Sequence, residues 1–87
     1  MTQPVTVYVA DWCPYCQRAK ALLKQKNVVF HEINVEDDEK FREEMFARSQ
    51  RRTVPQIFIG DKHVGGCDDL FALDQSGELD PLIQGAG

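Results

Sequence analysis

The sequence has few of the features that mark membrane, nucleic-acid-binding or disulfide-stapled proteins. Its apolar runs fall far short of the roughly 20 residues that cross a bilayer, and the basic and apolar regions of a secretory signal do not follow Met1. The net charge is −4, so the basic face that binds nucleic acid is missing. Only 3 of 87 residues are cysteines, an odd number that is uncommon in disulfide-stapled secreted domains. The sequence therefore predicts one domain over residues 1–87 that is cytoplasmic, with reduced thiols.

The first half of the chain alternates between strand-like and helix-like segments. β-Branched and aromatic residues predict a buried strand at 5–10, and apolar residues at helical spacing predict a helix over 14–26. A second strand is predicted within 28–35, and a helix opened by acidic residues 36–39 runs to about residue 48. The predicted buried stripe of that helix is Phe41, Met45 and Phe46. Because a helix joins the two strands, we expect them to pair in parallel.

The second half predicts a hairpin and two further helical segments. Residues 56–59 and 62–64 are strand-like runs on either side of the turn residues Gly60-Asp61. They are expected to pair as an antiparallel hairpin in the same sheet as the first two strands.

The third helix is predicted to begin at an acidic cap. Asp68 or Asp69 suits that position, and Gly77 ends the helix. A short helical turn that begins at 80–81 and a frayed end at 85–87 complete the chain. The order β-α-β-α-β-β-α predicts an α/β fold in which a mixed four-stranded sheet is flanked by helices.

Two of the three cysteines stand two residues apart, between the first strand and the first helix. Backbone N–H groups at a helix start are unpaired and carry partial positive charge, which favours a thiolate at Cys13. Pro14 suits the first helical turn, where its missing N–H costs nothing. Cys16 lies one turn further on the same face. The pair therefore predicts a two-step thiol–disulfide exchange, in which Cys13 attacks and Cys16 resolves the mixed disulfide.

Two other interpretations of the pair have less support. A zinc site at this spacing normally needs a second ligand pair, and only Cys67, His31 and His63 remain, scattered along the chain. An inert buried pair is not expected at a helix start that follows a core strand, because that position is exposed and electropositive. We therefore expect no metal ligands in this chain.

A second motif, Thr53-Val54-Pro55, precedes the third strand. A trans proline at the start of a strand is common in unrelated proteins, since no ladder hydrogen bond is lost there. A cis Val54–Pro55 bond would instead present the backbone of Val54 sideways, ready to pair with an extended peptide. Beside a cysteine pair of this kind, we expect the cis form.

A third motif, Gly65-Gly66-Cys67-Asp68-Asp69, opens the third helix. Its backbone N–H groups can hold a carboxylate, and an aspartate side chain can hold an ammonium group. An aspartate at a helix start also serves as a simple cap. Cys67 stays open between a small core residue and an oxidisable thiol at the edge of the site.

With these three motifs in this order, the sequence resembles a dithiol glutaredoxin of the bacterial type over nearly its whole length. The resemblance implies a thioredoxin-like fold and a single glutaredoxin domain that reduces protein–glutathione mixed disulfides and protein disulfides. It implies that Cys13 is the nucleophile and Cys16 the resolving thiol. The glutathione groove that it implies is lined by Tyr15, Thr53, Val54, Pro55, Gly66, Cys67 and Asp68.

The sequence departs from the family pattern at one position. A lysine usually stands three residues before the nucleophile, where this chain has Ala10, followed by Asp11. The positive charge that holds glutathione must then come from elsewhere, and Arg52 is the predicted residue, with Arg51 and Lys20 as alternatives. Arginines in a loop are also commonly just solvated.

The resemblance further implies glutathione as co-substrate, no tightly bound cofactor and a monomer. Expected partners are glutathionylated or disulfide-containing proteins, with ribonucleotide reductase among the family's substrates. Two alternatives remain: a dimer that binds an iron–sulfur cluster through glutathione, and an electron donor linked to thioredoxin reductase. Relatives that bind clusters usually have Gly or Ser where this chain has Pro14, which disfavours the first.

Overall fold

The computed structural model describes residues 3–85, which form four strands and four helices. The strands are β1 (Val5–Val9), β2 (Phe30–Asn34), β3 (Gln56–Ile59) and β4 (Lys62–Gly65). The helices are α1 (Pro14–Gln25), α2 (Glu39–Ser49), α3 (Cys67–Ser76) and α4 (Leu79–Gln84). The predicted order is confirmed, and the last helical turn, expected to begin at 80–81, is α4. Within residues 3–85, no helix has the length and apolar character needed to cross a membrane.

The four strands form one mixed sheet in the order β2-β1-β3-β4. β1 pairs in parallel with β2 and antiparallel with β3, and β3 and β4 form the predicted hairpin. The carboxyl ends of β1 and β2 therefore lie at the same edge of the sheet, where Val9 is level with Asn34. Because β3 runs the other way, its first residue, Gln56, also lies at this edge. All three sequence motifs meet there.

The core lies between the sheet and the apolar faces of the helices. All four β3 residues are buried, as is nearly all of β1, because both strands are central in the sheet. The buried side of α1 repeats at helical spacing, and its residues are Cys16, Ala19, Leu22 and Leu23. The resolving cysteine is thus part of the same apolar stripe that fixes α1 on the sheet.

Two local predictions were wrong. The N-cap of α3 is Gly66, not Asp68 or Asp69, and the helix begins at Cys67. In the predicted stripe of α2, Met45 is buried and Phe46 half-buried, but Phe41 is exposed. Phe41 stands in the first turn of α2 (Glu39–Ser49), ahead of the part of the helix that carries Met45.

Strand and helix ends differ from the predictions by a few residues. α1 ends at Gln25, and Asn27 beyond it is in a left-handed conformation. α3 ends at Ser76 and is capped by Gly77, close to the predicted end. The frayed end predicted at 85–87 falls mainly on residues 86 and 87, which lie outside the described residues.

Candidate active site

Cys13 caps the first helix with its own sulfur. The residue is extended (φ −95°, ψ 108°), so its side chain turns back toward the helix and its Sγ accepts a hydrogen bond from the backbone N–H of Cys16 at 3.1 Å. Pro14 occupies the first helical position, where it has no N–H left unpaired. A sulfur in this position lies beside the unpaired N–H donors of the first turn and at the positive end of the helix dipole.

The Val54–Pro55 loop reaches the same sulfur from the other side. The Val54–Pro55 bond is cis, as predicted. The thiol of Cys13 lies 3.6 Å from the carbonyl oxygen of Val54, to which it donates a hydrogen bond. Two motifs 41 residues apart in sequence therefore share one contact, and the backbone of Val54 stands beside the nucleophile.

Both cysteines are buried: Cys13 is 3% exposed and Cys16 is 0% exposed. The expectation of an exposed pair was therefore wrong, because the Val54–Pro55 loop covers the sulfur of Cys13. Burial, together with a side-chain hydrogen bond to Cys13, raises the pKa of the Cys16 thiol to about 12. At neutral pH Cys16 therefore stays a thiol and does not compete as a nucleophile. Cys13, Cys16 and Cys67 are all free thiols in this structure.

A groove of about 240 Å³ runs beside this pair, between the first turn of α1, the Val54–Pro55 loop and the start of α3. Its lining includes seven of the eight residues predicted to bind glutathione. These seven are Tyr15, Thr53, Val54, Pro55, Gly66, Cys67 and Asp68. Arg51, Gln56 and Asp69 complete the lining. The structure thus brings residues from three separate segments to one concave surface.

The eighth residue, Arg52, lies outside the groove. Its guanidinium sits 4.2 Å from the centre of the Phe46 ring, in a separate cavity against α2. Its neighbour Arg51 points the other way and lines the groove. Lys20, the third cation considered, pairs with Glu32 at 3.0 Å instead. Of the three, Arg51 is the one whose charge faces the groove.

Asp69 holds Arg51 and the start of α3 together. Its Oδ2 accepts the backbone N–H of Gly66 at 2.9 Å and the Nη1 of Arg51 at 3.3 Å. The Gly66 hydrogen bond, followed by Arg51, lowers the pKa of Asp69. Gly65 makes room for this carboxylate: its φ is +120°, and a Cβ there would lie 2.2 Å from Asp69 Oδ2. The neighbouring Asp68 carboxylate has no hydrogen-bond partner among residues 3–85 and stays available in the groove.

Gln56 lines the groove, although the sequence did not single it out. Its side chain is fully buried at the edge of the groove. The amide Nε2 donates to the carbonyl oxygen of Thr53 at 3.0 Å and to its Oγ1 at 3.2 Å, while the Oε1 lies 2.7 Å from His63 Nε2. Since the amide oxygen can only accept, His63 donates from Nε2. One side chain thus ties the residue before Val54 to strand β4. A glutamine that begins a buried strand was the one signal available for this role.

The family model, the curated relative and the two solved structures described next are all glutaredoxins. A family model described as Glutaredoxin matches residues 5–64. Glutaredoxin 3 of Escherichia coli K12 is 56% identical over 80 residues, which cover 92% of this chain and 96% of that protein. The solution structure of a glutaredoxin from Brucella melitensis has a TM-score of 0.86 and 50% identity, covering 99% of this chain and 94% of that one. A buckwheat glutaredoxin–glutathione complex has a TM-score of 0.87 and 31% identity, covering 98% of this chain and 80% of that one.

The raised pKa of Cys16 predicts a shifted pH dependence for its alkylation. In a Cys13→Ser/Cys67→Ser variant, Cys16 is the single thiol, and its burial remains. In urea, iodoacetamide should react with an inflection near ~8.5, the free-thiol value. In the folded protein the rate should keep rising above pH ~10, because the folded-state pKa is the higher one. By the same linkage, the free energy of unfolding is largest below pH ~8.5, where the Cys16 thiol is protonated in both states. It falls as the pH rises above that value, because the unfolded state then loses its proton first. An inflection near 8.5 in the folded variant would contradict this assignment.

The buried amide predicts a specific loss of stability in Gln56→Leu. Leucine has a similar volume, but it leaves the Thr53 carbonyl and the His63 ring without their partner. We expect the free energy of unfolding to fall by ~1–3 kcal/mol, the usual cost of unsatisfied buried groups. Urea unfolding measures it. The matched control is Gln75→Leu, on the exposed side of α3, with an expected change within ~0.5 kcal/mol. Equal effects in the two variants would mean that the amide contributes nothing specific.

Proposed function

This chain belongs to the glutaredoxin family and is a glutathione-dependent thiol–disulfide oxidoreductase, and we propose that Cys13 is its nucleophile and Cys16 its resolving thiol. The observation that carries this assignment is the hydrogen bond from the Cys16 N–H to the Cys13 sulfur at 3.1 Å. It places one sulfur at the electropositive helix start, while burial keeps the other protonated. The two thiols therefore differ in reactivity before any substrate arrives.

The proposed reaction proceeds by two thiol–disulfide exchanges. The Cys13 thiolate attacks the glutathione sulfur of a protein–glutathione mixed disulfide, so that a Cys13–glutathione bond forms and the protein thiolate leaves and takes up a proton. A second glutathione thiolate then attacks the glutathione sulfur on Cys13, which releases oxidised glutathione and regenerates the Cys13 thiolate. With a protein disulfide as substrate, the Cys13 thiolate attacks one of its sulfurs, so that a Cys13–protein mixed disulfide forms and the other protein sulfur leaves as a thiolate. Cys16 gives its proton to that thiolate and attacks the sulfur of Cys13, and the second protein sulfur leaves and takes up a proton. An internal Cys13–Cys16 disulfide closes, and two glutathione molecules reduce it.

The groove beside Cys13 is the proposed glutathione site. The related buckwheat glutaredoxin was solved in complex with glutathione, which supports glutathione as the co-substrate here. We assign the extended backbone of Val54 to pairing with the cysteine residue of the tripeptide. The N–H groups at the start of α3, at Cys67 and Asp68, suit the γ-glutamyl carboxylate, and the Asp68 carboxylate suits its ammonium group.

Arg51 replaces Arg52 as the residue proposed for the second carboxylate of glutathione. Arg51 is the arginine of the pair that lines the groove. Its guanidinium forms an ion pair with Asp69, which holds it against the groove wall. The side chain is half exposed, so its Coulomb contribution is screened by solvent. A bound carboxylate would lie against both a cation and the backbone donors of the groove.

The proposed setting is a monomer in the cytoplasm with no tightly bound cofactor. An odd cysteine count suits a reducing compartment, because it is uncommon in disulfide-stapled secreted domains. The proposed protein substrates are glutathionylated or disulfide-containing proteins, with ribonucleotide reductase among them. An iron–sulfur-bridged dimer has less support, because Pro14 stiffens the first turn of α1. The assay that tests the whole proposal couples glutathione and glutathione reductase to the mixed disulfide of glutathione and 2-mercaptoethanol.

Cysteine substitutions should separate the two thiol roles. Cys13→Ser should abolish turnover of every substrate, because the attacking sulfur is gone. Cys16→Ser should still remove glutathione from mixed disulfides, a route that needs one protein thiol, but should lose activity on protein disulfides. The coupled assay with a glutathionylated peptide and with a disulfide-containing protein measures both. Our assignment fails if Cys16→Ser is as inactive as Cys13→Ser on the glutathionylated peptide.

The two neighbouring arginines provide a matched pair for testing the groove. Arg51→Gln should raise the KM for a glutathionylated substrate about three- to tenfold, since a half-exposed charged contact to the substrate is lost. Arg52→Gln removes the same charge at a site that faces Phe46, and the KM should stay near the wild-type value. Steady-state kinetics at low and high ionic strength measure both effects. Equal KM values in the two variants would remove Arg51 from the site.

A further inference from the structure

On the side of Cys13 away from the groove, two carboxylates are held close together. Asp11 Oδ1 accepts a hydrogen bond from Asn34 Nδ2 at 2.7 Å, and Glu36 Oε1 accepts the backbone N–H of Asp11 at 3.0 Å. The Oδ1 of Asn34 in turn accepts the backbone N–H of Glu36 at 2.8 Å. Asn34 therefore links the end of β2 to the loop that leads into Cys13. Within residues 3–85, neither carboxylate has an ion-pair partner.

In the sequence, an exposed tryptophan stands between Asp11 and the nucleophile. Trp12 directly precedes Cys13 and is 70% exposed. Large exposed aromatic side chains are characteristic of binding surfaces, where they bury much area at little cost in conformational entropy. No element of the described chain covers Trp12. The Asp11–Trp12–Glu36 surface thus combines an apolar side chain with uncompensated negative charge.

The strand order places this surface and the groove on opposite sides of the nucleophile. Cys13 follows β1, which lies between β2 and β3 in the sheet. The groove is built from the segment before β3 and the start of α3 after β4, whereas Asn34 and Glu36 come from the end of β2. A mixed disulfide at Cys13 has two halves that leave its sulfurs in different directions. With glutathione in the groove, the space left for the other half is the β2 side.

We propose that the Asp11–Trp12–Glu36 surface docks the protein half of a glutathionylated substrate whose cysteine is flanked by lysine or arginine residues. This inference rests on the proposed function, since it assumes that the groove holds glutathione. The charge argument is complementarity: two unpaired carboxylates lie within a chain of net charge −4, and Asp37 and Asp38 follow Glu36 directly. The leaving protein thiolate departs toward this surface as the Cys13–glutathione bond forms. Basic residues beside that sulfur would be attracted to the surface, whereas acidic ones would be repelled.

The test compares two glutathionylated peptides that differ only in the residues flanking the cysteine, lysines in one and glutamates in the other. With the wild type at low salt, kcat/KM should favour the lysine peptide about tenfold. The variant Asp11→Asn/Glu36→Gln keeps the acceptor oxygens and removes both charges. It should reduce that preference about three- to tenfold, and high salt should do the same in the wild type. Turnover of the mixed disulfide of glutathione and 2-mercaptoethanol should be unchanged, because that substrate has no flanking charge.

The matched control carries the same change in net charge at the other end of the sheet. Asp61 lies in the turn between β3 and β4, and Glu78 lies between α3 and α4. Asp61→Asn/Glu78→Gln should keep the wild-type preference between the peptides. An equal loss of preference in the control would overturn the proposal, because net charge alone would then explain it. A preference that survives Asp11→Asn/Glu36→Gln would also overturn it. By contrast, a wild type that fails to turn over the small mixed disulfide would overturn the proposed function itself.

Trp12 supplies an independent readout, since it is the single tryptophan of the chain. In Cys13→Ser, which binds without reacting, the lysine peptide should shift the tryptophan emission with saturation. The glutamate peptide and oxidised glutathione should require much higher concentrations for any shift. Identical titration curves for the two peptides would overturn the proposal, whatever the kinetics show. Trp12→Phe in the reactive protein should retain the preference for the lysine peptide, because the carboxylates remain.

Discussion

The site depends on one hydrogen bond, from the backbone N–H of Cys16 to the sulfur of Cys13. A helix start has donors that need acceptors, and here a cysteine sulfur takes the place that a serine or aspartate oxygen usually fills. The same contact caps α1 and fixes the position of the nucleophile. It also joins the nucleophile to Cys16, which lies in the first turn of α1 and is buried in the core. Stability and reactivity are therefore coupled at this point, because the group that completes α1 is the group that reacts.

Around that sulfur the fold arranges two different surfaces. On one side the Val54–Pro55 loop, Arg51 and the start of α3 provide backbone donors and balanced charges, which suit a small zwitterionic peptide. On the other side the end of β2 brings uncompensated carboxylates next to Trp12. The position of β1 in the middle of the sheet is what separates them. Asp11, which follows the Ala10 that stands where the resemblance implies a lysine, lies on the second side.

Much of this arrangement could be predicted from the sequence, and what could not be predicted has identifiable causes. Periodicity predicts the strand and helix order, and the cysteine pair at a helix start predicts the chemistry of the site. The choice between Arg51 and Arg52 cannot be made from sequence, since it depends on which of two adjacent side chains faces α2. The role of Gln56 is also hidden, because its partners, Thr53 and His63, are assembled only when the hairpin forms. The start of α3 was misplaced because Gly66 caps it without a side chain.

The link from Gln56 to His63 has a consequence for local unfolding. Strand β4 is short and lies at the edge of the sheet, so it belongs to the part of the fold that opens most easily. Each opening of β4 removes one of the partners that hold Gln56, and with it a restraint on the Thr53 backbone. The amide protons of β4 and of the Thr53–Val54 segment should therefore exchange with solvent as one cooperative unit, while β1 exchanges far more slowly. The time for which the groove keeps its shape is then determined by how often β4 opens, and not by the unfolding of the sheet core.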